Sequence, residues 1–275
     1  MIMHIGEKAK LKSQNKQSSN KLNIPEGIIE LPQKPYKISN AKNVLILCDT
    51  HFPFHDKKAI ETAVNCKEDI DTIILLGDLM DFYGLSSYCK NPSLPTVREE
   101  LLICKEFLKY LRDKFPKSQI IYYEGNHEIR LDRYIFSHAP VLYGIETITM
   151  NTLLELHKVN VQYVENGTGL KVGSLHLLHG NEAACRGGIN IARTMLLRTN
   201  DNCAFGNFHK SQSASGKTLD NDEFVNFAIG CLCNLKPRYM PINQWNQGFA
   251  KIEMFKNEFD FKNKRILINY NVRSN

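Results

Sequence analysis

Five short clusters hold the side chains with which this chain could do chemistry: Asp49-Thr50-His51, Gly77-Asp78, Gly125-Asn126-His127-Glu128, His179-Gly180 and Gly206-Asn207-Phe208-His209. Carboxylates and imidazoles, with an amide oxygen or two, suit divalent cations that must keep positions open for water and substrate. Most of the clusters follow an apolar run that predicts a strand. Donors set just past strand ends converge on one sheet edge, where short loops can hold two cations ~3.5–4 Å apart, the separation used in two-metal ester hydrolysis. Singly, each residue is better explained as a cap or turn at a strand end; five such clusters in one chain are not.

The elements that must position these residues are visible around them. Val44-Leu45-Ile46-Leu47-Cys48 is a continuous apolar run, as expected of a strand buried on both faces, and it delivers Asp49 and His51 to its end. Thr72 to Leu76 does the same for Asp78, and Gln119 to Tyr123 for Asn126 and His127. Between them, Asp56 can cap a helix carrying Ala59, Ile60, Ala63 and Val64 on one face. Thr96 with Glu99 makes a capping box ahead of an amphipathic helix through Val97, Leu101, Cys104, Leu108 and Leu111. Glu128 to Phe136 and Ile148 to His157 are also predicted helical. After Val161 to Val164 the pattern is strand-rich, over 170–172, 175–178, 204–205, 224–229, 249–254 and 266–270, with one helix near Ile189 to Leu197. The alternation predicts a layered α/β fold.

At 275 residues the chain can build one large domain, with no internal repeat and no second linker after residue 43. Its apolar runs fall far short of the roughly 18 residues of a membrane span, and its N-terminus lacks the apolar core of a secretory signal. A cytoplasmic location is therefore expected, with no membrane partner. The eight cysteines are scattered, as free thiols in a reducing compartment would be. Cys231-Leu232-Cys233 has no second pair at zinc-site spacing. Of the net charge of +6, residues 1–42 hold most, with eight lysines against three glutamates. That segment, interrupted by Pro25, Pro32 and Pro35, is expected to be a flexible tail ahead of a domain over 43–275. The near-neutral body argues against a broad basic groove.

In order and residue type, the five clusters resemble the calcineurin-like metallophosphoesterase superfamily, whose pattern runs D-x-H, G-D, G-N-H-[DE], a lone H, and G-H-x-H. The resemblance covers roughly residues 43 to 235. It implies a two-sheet β-sandwich flanked by helices, and two divalent metal ions, with manganese favoured over iron, zinc or magnesium. It further implies that Asp49, His51 and His209 bind the first metal, that Asp78 bridges, and that Asn126 and His179 bind the second. Metal-bound hydroxide would attack phosphorus in line, while His127 contacts the phosphate or protonates the leaving oxygen. Glu128 could orient His127 or simply begin the next helix. His176 falls on the opposite strand face from His179, and His55, His138 and His157 lie outside the pattern.

Two departures bear on function. Asn207 stands where the family has a second-metal histidine, and an amide oxygen is the poorer donor for transition metals. The site could work with Asn207 as a ligand, fill only with substrate present, or belong to an inactive module that binds phosphate or nucleic acid. Secondly, Gly77-Asp78-Leu79-Met80-Asp81 is followed by Phe82, where several branches carry a phosphate-binding arginine, which disfavours a phosphoprotein phosphatase. Arg130 and Arg133, within a turn of His127, are candidate substrate contacts. The substrate expected is a phosphodiester, nucleic acid included, or a phosphomonoester. With nucleic acid, the lysine-rich tail would strengthen binding with a steep salt dependence.

Overall fold

Alternate residues of the central strands bury in opposite directions, and this sets the layers. The structure is a computed structural model, described for residues 24–28 and for 33–274 except 66–68, 168, 184, 186, 187 and 257. The strands are β1 (Tyr36–Lys37), β2 (Asn43–Leu47), β3 (Thr72–Leu76), β4 (Gln119–Tyr123), β5 (Val161–Val164), β6 (Leu170–Val172), β7 (Leu175–Leu178), β8 (Cys203–Phe205), β9 (Gln212–Lys217), β10 (Glu223–Ala228), β11 (Gln247–Phe255), β12 (Glu258–Ile266) and β13 (Val272–Ser274). One sheet runs β13-β12-β11-β2-β3-β4-β5, and the other β1-β6-β7-β8-β10-β9. The helices are α1 (Lys57–Val64), α2 (Val97–Lys114), α3 (Arg130–His138), α4 (Met150–Leu153) and α5 (Ile191–Thr199).

Leu45, Leu47, Ile73, Leu75, Ile120 and Tyr122 pack in one core with α1 and α2 through Ala59, Ala63, Cys104, Leu108 and Leu111. Their neighbours Val44, Ile46, Ile74, Leu76 and Ile121 point the other way and meet Leu170, Val172, Leu175 and Leu177 between the two sheets. Behind the second sheet, Ile191 and Met195 of α5 pack on Phe205 and Ala228. The result is the helix-flanked, two-sheet α/β sandwich that the sequence implied. β2, β3, β4 and β5 are parallel, as are β7 and β8, so all five motif clusters leave C-terminal strand ends. The caps also form as expected: Asp56 accepts from the Ala59 amide, and Thr96 with Glu99 closes a reciprocal box.

The differences have local causes. The folded unit starts at Gln33 rather than residue 43: Tyr36 and Lys37 pair with Leu170 and Lys171, and Ile38 is buried. Residues 24–28 are exposed, and residues 1–23 and 29–32 of the lysine-rich segment lie outside the described residues. The helix expected over 148–157 is broken: α4 lasts four residues, and Glu155, at φ +52°, turns the chain into a 3-10 turn over Leu156–Val159. β12 runs over Glu258–Ile266, ahead of the expected 266–270, because the chain turns there toward β13: the Leu267 amide donates to the Asn271 carbonyl, and Tyr270 has φ +61°.

Candidate metal centre

Each donor sits in the first residues past a strand end, where the backbone turns sharply. Asp49, His51, Asp78, Asn207 and His209 all have positive φ, between +49° and +64°. This left-handed geometry costs on the order of 1 kcal/mol per non-glycine residue and concentrates at functional sites. Neighbouring glycines allow the close approach. A Cβ on Gly77 (φ +80°) would lie 2.3 Å from His179 Nδ1, and one on Gly125 would lie 2.3 Å from Asp78 Oδ1.

Three buried imidazoles turn Nε2 inward. His179 Nδ1 donates to the Leu76 carbonyl (2.9 Å), and its Nε2 lies 3.2 Å from both Asp78 Oδ1 and Asn126 Oδ1. His51 Nδ1 lies 3.1 Å from Asp81 Oδ2, and its Nε2 is 3.2 Å from His209 Nε2 and 3.8 Å from Asp78 Oδ2. His209 Nε2 is also 3.2 Å from Asp49 Oδ1, while its Nδ1 faces Cys233 Sγ at 3.9 Å. Asp78 therefore offers one oxygen to His179 and the other to His51.

The donor set fits divalent cations. Two ring nitrogens brought together in a buried site need a cation or a proton between them. With a metal–nitrogen bond of about 2.1 Å, two donors on one ion stand ~3.0–3.4 Å apart, the range of most of the distances above. Holding His179 and His51 from behind through Nδ1, by a carbonyl and a carboxylate, is what fixes a metal-binding tautomer. Asp49, His51 and Asp78 form one cluster of donor atoms within 4.8 Å of one another; His51, Asp81 and His127 form a second, and His51, His209 and Cys233 a third.

Electrostatics follow from this crowding. Burial alone would depress both histidines, yet the Asp81 hydrogen bond with the Asp78 and Asp49 charges raises His51 to about 9, and Asp78 above all raises His179 to about 10. Burial opposes ionisation of Asp78, but His127 and His179 hold its carboxyl well below the usual range. His127 goes the other way: burial pushes it down to about 4. Its Nδ1 donates to the Asp81 carbonyl (2.8 Å), and its Nε2 accepts from Arg130 Nη2 (2.9 Å).

The structure thus brings Asp49, His51, Asp78, Asn126, His179 and His209 together, with His127 and Arg130 at the rim. Arg133 is exposed on α3 with no contact to the cluster. Asn207 is placed by its backbone, its amide donating to both Asp49 oxygens at 3.0 Å. Phe82 is buried in the core. Glu128 does not orient His127: its carboxylate accepts from the amides of Asp78, Met80 and Gly125 and from the Tyr122 hydroxyl, clamping the ends of β3 and β4. Glu182 does the same for the His179 loop, accepting from the His179 and Gly180 amides and from Tyr123. Asp81 and Glu182 were not signalled in the sequence, although Asp81 closes the G-D-x-x-D stretch. Cys233 joins the site although the CxC pair suggested no metal role, its Sγ 3.9 Å from His209 Nδ1.

Among solved structures, the chain is similar to Vacuolar Protein Sorting 29 from Cryptosporidium parvum, at 13% identity over 86% of this chain and 97% of the other, with a TM-score of 0.46. It is also similar to the purple acid phosphatase PPD1 of yellow lupin, Lupinus luteus, at 11% identity over 84% of this chain and 53% of the other, with a TM-score of 0.43. Among curated proteins, the Gene 54 protein of Mycobacterium phage D29 is 30% identical over 108 residues, 37% of this chain; the match spans only 42% of that protein's length. Residues 42–224 match the family described as calcineurin-like phosphoesterase, and they include Asp49, His51, Asp78, Asn126, His179 and His209. The chain belongs to that family.

Proposed function

We propose that the protein hydrolyses a phosphoester at a dinuclear centre. The observation that carries this reading is the set of three imidazoles whose Nε2 atoms meet Asp49, Asp78 and Asn126 oxygens, with the Nδ1 atoms of His51 and His179 held from behind. Asp49, His51 and His209 would hold one cation, Asn126 and His179 the other, and Asp78 both, with Asn207 completing the second through its amide oxygen. Two such cations, manganese being our choice, supply a water ionised near neutral pH and neutralise phosphoryl charge. Arg130 and His127 orient the phosphoryl oxygens, and His127 carries the proton for the leaving group. A cytoplasmic location fits the described cysteines, all free.

Purified protein with Mn²⁺ is expected to hydrolyse bis(p-nitrophenyl) phosphate or p-nitrophenyl phosphate, and EDTA to stop it; the ratio of the two rates assigns the diester or monoester class. Asn207→His is expected to change an existing rate by no more than about 10–100-fold, the scale of one altered metal-site contact. Activity that appears only in Asn207→His would instead mark the natural protein as a binding module.

Protons and metal compete for the same nitrogens, which gives a pH signature. His51 and His179 have folded pKa values raised to about 9 and about 10, above an unfolded value of about 6.5. Their contribution to the metal-free fold is full below pH ~6.5 and is lost as pH rises through the folded values. Metal binding must displace those protons, so metal affinity rises over the same window. The melting temperature of metal-free protein should therefore fall from pH 6.5 to 9, while the increment added by Mn²⁺ grows. Calorimetry at fixed Mn²⁺ checks this; an increment that shrinks with pH would remove His51 and His179 from the ligand set.

A further inference from the structure

The segment between Cys233 and β11 has no regular secondary structure, yet it is tied into one shape. Asn243 Nδ2 donates to the carbonyls of Leu235 (2.8 Å) and Met240 (2.9 Å), and its Oδ1 accepts from the Trp245 amide (3.0 Å). The Lys236 amide donates to Asn234 Oδ1 at 2.9 Å. At its far end the Asn246 amide donates to the His209 carbonyl at 2.8 Å, which fastens the segment to the metal centre.

What this segment presents is aromatic. Trp245 stands edge-on to His209, with ring centroids 4.2 Å apart and planes at 68°. Tyr239 stands 6.4 Å beyond, at 64° to Trp245. A line of rings therefore runs from a metal-centre donor outward to a tyrosine that is 72% exposed. Just ahead of Tyr239 in the chain, Lys236 and Arg238 are exposed and form no ion pair with any described residue. A tyrosine left this open adds little to the core. A pre-shaped aromatic surface beside a phosphate-handling centre, with unneutralised cations around it, matches the parts used to hold nucleobases and their backbone.

We propose that Tyr239, braced edge-on by Trp245, is a shelf on which a nucleobase stacks while its phosphoester reaches the metal centre, so that the substrate is a nucleoside-bearing phosphoester. The proposal rests on the phosphoesterase reading above and names its substrate class. A free nucleotide and a single-stranded nucleic acid end carry this chemistry equally, and Lys236 and Arg238 would contact further phosphates of the longer ligand.

Trp245 is the sole tryptophan of the chain, so binding can be followed by its fluorescence without any turnover. The full chain is titrated with thymidine 5′-monophosphate, a short oligothymidylate, and ribose 5-phosphate as a phosphate without a base, in wild type, Tyr239→Ala and Tyr239→Phe. Both base-bearing ligands should bind at least about tenfold more tightly than ribose 5-phosphate. Tyr239→Ala should remove about tenfold of that advantage, the low end of what stacking one base contributes, and Tyr239→Phe should restore it. Salt-sensitive, tighter binding of the oligomer assigns a nucleic acid substrate, and equal binding assigns a nucleotide. In turnover, the preference for thymidine 5′-(p-nitrophenyl phosphate) over methyl p-nitrophenyl phosphate should fall about tenfold in Tyr239→Ala. Equal affinity for ribose 5-phosphate and the nucleotide, or a base preference untouched in Tyr239→Ala, overturns the shelf. Base-selective fluorescence changes with no hydrolysis of either ester would instead keep the shelf and overturn the hydrolase reading.

Discussion

Asp78→Asn is expected to abolish Mn²⁺-dependent turnover, with a loss beyond the ~10²–10³-fold typical of removing one preorganised electrostatic contact. The carboxylate is 1% exposed, and its two oxygens lie 3.2 Å from His179, 3.8 Å from His51 and 3.7 Å from His127. If it bridges, a neutral amide removes the charge that lets two cations sit side by side, and one oxygen donor with it. The backbone tolerates the change, because residue 78 has φ +49° and asparagine is among the residues most at ease there. Loss of activity would then report on charge, not unfolding. The measurement is kcat together with the melting shift produced by Mn²⁺, and both should collapse in a protein that still melts cooperatively. Turnover retained within about tenfold would show that Asp78 does not bridge.

His127→Asn should separate proton delivery from phosphate contact. The ring is held neutral, with Nδ1 donating to the Asp81 carbonyl and Nε2 accepting from Arg130. A phosphate dianion arriving beside Arg130 puts opposite charge next to the imidazole, which favours its protonated form and lifts its pKa from about 4. General acid catalysis of this kind contributes ~10²–10⁴-fold where the leaving group needs a proton. An alkyl phosphoester should therefore lose about that factor in kcat, whereas a p-nitrophenyl ester, which leaves as a stable phenolate, should lose less than roughly tenfold. Equal losses on both esters would assign His127 to holding the phosphate alone.

The sequence made the central strands and the donor residues legible for the same reason. β2 and β3 are buried on both faces, so their residues are apolar without interruption, and a polar residue just after them stands out. β9, with the sequence QSASGK and alternate exposure, carries no such signal, because its pairing with β10 is made through the backbone. The donors could be recognised by type and order. The groups that hold them could not, because Asp81, Glu182 and Cys233 reach the site only once the strands are in register. Glu128 was visible, but its work was not: its carboxylate spans two strand ends, and no spacing in the chain encodes that distance. Tyr239 and Trp245 lie in a segment without periodicity, and their place beside His209 comes from Asn243 and from the amide of Asn246.

The left-handed residues at the strand ends limit what could be grafted from this centre. An imidazole or carboxylate moved to the end of an ordinary strand would stand off one face of the sheet, whereas Asp49, His51, Asp78 and His209 leave it through a backbone turn of the disfavoured hand. Copying the residue types onto another sheet would carry over the donors without their aim. A designer would have to import the Gly77 and Gly125 crossings and the Glu128 clamp as one block, since these hold the turns that let the donors meet.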